Sequence, residues 1–136
     1  MDENSNLEKL RILTGKLSTL SETVLWKNRD RMALATIGGS CDLLGVYNEP
    51  GKCSIVTGDF AANTTHSRHS HPQTEIIICV LGVFEVHLDD GEIVVLHPTE
   101  SITLKPSTPH SCHCDNDAFV LAIVIPDSTE FPNGKS

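Results

Sequence analysis

His69-Ser70-His71-Pro72-Gln73-Thr74-Glu75 places two imidazoles and a carboxylate close together, with Gly82 beyond them and His110 in a Pro-rich turn further along. Imidazole offers a nitrogen lone pair near neutral pH, and a carboxylate adds charge and a hard oxygen donor. Three such imidazoles with one carboxylate point to a metal site. Side chains two apart on a strand leave the same face, so His69, His71 and Glu75 are expected on one face of an extended segment. Pro72 cannot donate to a ladder, so regular pairing is expected to begin after it.

Working outward, the chain reads as strands separated by turn signals. Leu43 to Tyr47, Cys53 to Phe60, Glu75 to Leu81, Val83 to Leu88, Glu92 to His97, Ser101 to Lys105, His110 to Cys114 and Phe119 to Ile125 are the expected strands. Asn48-Glu49-Pro50-Gly51, Asp89-Asp90-Gly91 and Asp115-Asn116-Asp117 mark turns between them. Evenly spaced short strands of this kind predict an all-β sandwich or barrel. The runs 76–80 and 119–124 are apolar on both faces. One face lines the barrel and the other needs a cover.

The N-terminal region has a different period. Ser5 and Glu8 fit a capping box, and Leu7, Leu10, Leu13, Leu17, Leu20 and Val24 recur at spacings of three and four, which predicts helix from Ser5 to about Arg31. Gly15 interrupts it, and Thr19 with Glu22 offers a second start. Residues 1–36 are therefore expected as a helical segment packing on the barrel or at a homodimer interface, and 37–136 as the barrel domain.

The quoted stretch with Gly82 follows H-x-H-x3-E-x6-G, and Lys105-Pro106-Ser107-Thr108-Pro109-His110 is a Pro-containing turn ending in histidine. Together they resemble the two motifs of the cupin family, over roughly residues 40–126. The resemblance implies a double-stranded β-helix, or jelly-roll barrel, holding one divalent transition metal (iron, manganese, zinc, nickel or copper) on His69, His71, Glu75 and His110. Asn63 and Ser107 stand where the family motifs usually have glycine, and Cys114 where an Asn often follows the last histidine. The glycine replacements bear on loop conformation. The family supports dioxygenases, isomerases and lyases, and also binding and sensing modules, so two readings stand. One is a small metal-dependent enzyme acting on a carboxylate- or enediol-bearing molecule; the other is a non-catalytic small-molecule-binding or sensory protein.

Composition narrows the partners. Ten Lys and Arg against eighteen Asp and Glu give a formal charge of −8, with no basic run, which argues against nucleic acid. No apolar run approaches the ~20 residues of a membrane span, and the acidic N-terminus is unlike a secretory signal, so a cytoplasmic location is expected. Five cysteines read as thiols. Cys41, Cys53 and Cys79 are expected as small core residues. Cys112 and Cys114 share the face of His110 and are candidate pocket-lining residues. His66 and His113 alternate away from the ligand faces, and His66, His87, His97 and His113 are expected at the surface or partly buried.

Overall fold

The computed structural model describes residues 31–33 and 36–127. Among the described residues ten strands run in chain order: β1 Arg31–Ala33, β2 Cys41–Glu49, β3 Cys53–Phe60, β4 Thr64–His69, β5 Thr74–Leu81, β6 Phe84–Leu88, β7 Ile93–Leu96, β8 Ser101–Leu104, β9 His110–Cys114 and β10 Ala118–Ile125. They form a six-stranded sheet ordered β1-β2-β3-β10-β5-β8 and a four-stranded sheet ordered β4-β9-β6-β7. All strand pairings are antiparallel. This is the expected all-β jelly-roll barrel.

Alternation decides which residues fill it. Val56 and Phe60 of β3, Ile77 and Cys79 of β5, Phe84 and Val86 of β6, and Cys112 and Cys114 of β9 sit at period-two positions, and all belong to one buried cluster. Phe60 and Phe84 come from different sheets and meet edge to face, with ring centroids 4.9 Å apart, so the inner faces of the two sheets pack directly. The doubly apolar strands β5 and β10 are neighbours in the middle of the larger sheet. On its outer face Ile76 lies opposite Ile123 and Ile78 opposite Leu121, all four half-buried.

Two expectations about elements need correction. Arg31–Ala33, where the expected helix ends at about Arg31 and the expected helical segment runs on to residue 36, is a strand paired with β2. Residues 1–30 and 34–35 of the expected helical segment lie outside the described residues. The second correction is β4, whose Thr64-Thr65-His66-Ser67-Arg68-His69 contains no aliphatic residue to betray a strand, yet pairs with β9 along the site.

Gly82, the last position of the first motif, has a geometric role. Its φ is +82°, and a Cβ there would lie 2.4 Å from the carbonyl oxygen of Asp117. Only glycine tolerates both the left-handed backbone and the close passage of the start of β10. Asn63 and Ser107 also adopt positive φ, 58° and 61°, so both loops keep the conformation for which glycine is ordinarily used.

Candidate metal centre

The His-x-His-x3-Glu stretch is not one extended segment. His69 ends β4 in the four-stranded sheet, residues 70–73 turn, and Glu75 lies near the start of β5 in the six-stranded sheet. His71 stands in the connection. Cross-sheet proximity, and not a shared strand face, brings the residues together. His110 opens β9 directly opposite His69 in register, and their rings are 4.3 Å apart. The turn before β9 has Pro106 and then Ser107 at positive φ, and the Ser107 N–H donates to the His71 carbonyl at 2.7 Å. That bond fastens the second motif's turn to the first motif's loop.

One ligand-capable atom from each of His69, His71 and His110 lies within 4.8 Å of the other two. Their tautomers follow from the backbone. Nδ1 of His69 meets the Ser67 carbonyl at 2.9 Å, Nδ1 of His71 the Gln73 carbonyl at 3.1 Å, and Nδ1 of His110 the Thr108 carbonyl at 2.8 Å. A carbonyl oxygen only accepts, so each Nδ1 carries the proton and each Nε2 of the neutral ring carries a lone pair. Hydrogen-bonding the far ring nitrogen in this way is how proteins orient imidazole ligands.

Glu75 completes the arrangement. One carboxylate oxygen, Oε1, is 3.0 Å from His71 Nε2 and 3.4 Å from His110 Nε2, and all three side chains are buried. An Nε2 lone pair facing a carboxylate oxygen is a contact between two acceptors, so a cation must lie between them: a proton on an imidazole or a metal ion. The donor set therefore fits a divalent transition metal. Burial pushes the Glu75 pKa up, but hydrogen bonds and charge from His110 and His71 outweigh it and bring it down to about 2. The hydrogen bond to Glu75 raises His71 above the ordinary imidazole range against the opposing effect of burial. Burial lowers His69, with the backbone bond to Ser67 partly offsetting it.

A cavity of about 60 Å³ adjoins these groups, with His69, Glu75 and His110 in its wall. His66 is there too, against expectation. The β4–β9 register shifts between His66 and His69, and this bulge cancels the odd spacing that on a regular strand would point them to opposite faces. His66 packs on His69 with ring centroids 4.2 Å apart, and burial lowers its pKa to about 4, so it is neutral at physiological pH. No periodicity signal marks such a bulge in the sequence. Cys112 lines the cavity, and burial pushes its thiol well above the ordinary range, so it is a neutral wall. Cys114, expected beside it, lies outside the cavity wall and contacts the Ala61 carbonyl at 3.3 Å. Of the other histidines, His87 bonds Glu85, His97 bonds Glu100, and His113 bridges Thr65 and Asp115, none at the cavity.

A jelly-roll barrel with three imidazoles placed so that they could hold a metal ion has the architecture of a cupin. The chain matches the cupin domain over residues 56–126, and it belongs to the cupin family. Among solved structures, an RmlC-like cupin from Shewanella frigidimarina NCIMB 400 is similar at a TM-score of 0.66 and 22% identity, over 82% of this chain and 96% of that one. KdgF from a Halomonas species is similar at 0.65 and 22%, over 79% and 96%. A structure from work on the DMSP lyases RdDddP and RnDddQII is similar at 0.56 and 14%, over 62% of this chain and 47% of that one. No protein of curated function matches the sequence. Among the described residues no helix is long and apolar enough to cross a membrane.

Proposed function

We propose that the protein is a small metal-dependent enzyme of lyase, isomerase or dioxygenase type, acting on a small molecule whose carboxylate or enediol oxygens bind the ion. The observation that carries this reading is the cluster of three imidazoles, each oriented by a backbone carbonyl, two of them in contact with the Glu75 carboxylate, beside a cavity lined by His69, Glu75 and His110. His69, His71 and His110 would hold the ion with Glu75. Three neutral ligands and one carboxylate would leave a divalent ion a net positive charge, and the ion would supply Lewis acidity to an oxygen ligand.

The chain's own groups divide the remaining work. Glu75 is anionic and lowers the charge of the site. His66, neutral and outside the four-residue ligand set, offers a hydrogen bond to a bound oxygen from the cavity side. The largely apolar wall of the cavity lowers the local dielectric and strengthens each of these interactions. The lyase assignment also draws on the similarity to the DMSP lyase structure, which is one of fold.

Turnover is tested by loading the full chain with Fe²⁺, Mn²⁺, Zn²⁺, Ni²⁺ or Cu²⁺ and incubating each form with a panel of 2-hydroxy acids, 2-oxo acids and enediols. Product is followed by NMR and oxygen uptake by electrode. The proposal expects one metal form to convert a panel member, with conversion abolished in His110→Ala. Binding of panel members with no conversion by any metal form would favour a binding or sensory protein instead.

A further inference from the structure

The cavity has two kinds of wall. At the metal end stand His66, His69, Glu75 and His110; the remainder is hydrocarbon or neutral thiol, including Leu43, Phe60, Phe84, Cys112, Val120 and Ala122. No Lys, Arg, hydroxyl or amide side chain lines it among the described residues. Gly58 contributes to the same surface because a Cβ there would come within 2.8 Å of the Phe60 ring and 3.2 Å of Val120, so the bare backbone lets Phe60 settle into the wall.

Such walls discriminate. A hydroxyl or second carboxylate carried into this space leaves water without finding a donor or acceptor away from the metal end, and loses affinity by about tenfold or more per group. A methylene entering the same space gains about fourfold. A volume of about 60 Å³ holds about four to six waters, which limits the body to a few carbons.

We infer that the ligand of this cavity is a small acid with a single oxygen-bearing head at the metal end and a short hydrocarbon body, and not a sugar acid or a diacid. This inference rests on the metal reading above, because the head needs the ion. It adds what that reading does not contain, namely the chemistry of the part that never touches the metal.

The test titrates the Co²⁺-loaded full chain with acids that share one α-hydroxycarboxylate head, following the visible absorption of Co²⁺. Lactate, 2-hydroxybutyrate and 2-hydroxypentanoate form a series of growing hydrocarbon body; threonate adds two hydroxyls to the 2-hydroxybutyrate skeleton, and malate adds a second carboxylate. The expected result is tightening by up to fourfold per methylene until the cavity is full, with threonate and malate at least tenfold weaker than 2-hydroxybutyrate. Ala122→Ser, which adds one hydroxyl to the wall at little cost in volume, should narrow the gap between 2-hydroxybutyrate and threonate. Equal or tighter binding of threonate or malate, or Co²⁺ binding with no response to any of the acids, overturns the inference and leaves the metal site standing. Failure to bind Co²⁺ overturns the metal reading and the inference with it.

Discussion

Replacing Glu75 with Gln keeps the shape of the side chain and removes its charge, which isolates the electrostatic part of the site. The Glu75 carboxylate is brought from its ordinary 4.5 to about 2 by its contacts with His110 and His71. A shift of that size corresponds to about 3 kcal/mol of stability in the metal-free protein at neutral pH. Because the folded value lies below the unfolded one, this contribution is present above about 4.5, for as long as an imidazole keeps the proton it shares with the carboxylate, and drains away as the pH falls toward 2. The Gln amide can donate to one Nε2 lone pair and return about 1 kcal/mol, so the expected net loss at pH 7 is about 2 kcal/mol. In urea titrations of the metal-free chain, that appears as a midpoint about 1 M lower. The gap between parent and variant should close as the titrations move below pH 4.5. A variant as stable as the parent at pH 7, or a gap that does not change with pH, would refute the account of Glu75 as a buried anion held by imidazoles.

Metal affinity should fall as the pH drops through the imidazole range, because a ligand nitrogen must be free of its proton. His71 is raised above 6.5, so the decline should begin above the range of an unperturbed imidazole, and competition with a chromophoric chelator between pH 5.5 and 8 would detect it. Affinity independent of pH across that window would exclude His71 as a ligand. The metal-free protein should behave in the opposite sense: the His71 contribution to its stability is present below 6.5 and lost as the pH rises through the raised folded value. Gly82→Ala should destabilise by about 3 kcal/mol, combining left-handed backbone strain with the 2.4 Å approach to the Asp117 carbonyl, and a thermal melt within 2 °C of the parent would contradict that geometry.

Much of the barrel was legible because period-two alternation survives wherever a strand has one face in the core, as in β3, β5, β6 and β9. β4 was not legible because its inner face is spent on the site, with His66 and His69 where aliphatic residues would signal burial, while Arg68 faces solvent and pairs with Asp89. The ligands were legible as residue types in a spacing, but not their geometry. His69 and Glu75 belong to different sheets, and the turn at 70–73, fastened by Ser107, converts sequence proximity into spatial proximity. His66 was hidden by a β-bulge, which reverses parity without leaving a composition signal. The cavity wall was illegible for another reason. Leu43, Phe84 and Val120 come from β2, β6 and β10, and each reads in sequence as an ordinary core residue. Only the closure of the barrel gathers them opposite the imidazoles.

The central claim is that the backbone-fixed imidazoles of His69, His71 and His110, with Glu75, are built around a metal ion. Elemental analysis of the full chain purified without added metal tests it most directly, beside His71→Ala and His110→Ala prepared the same way. The account predicts close to one transition-metal ion per chain in the parent and nearly none in either variant. Equal metal content in all three proteins would contradict it.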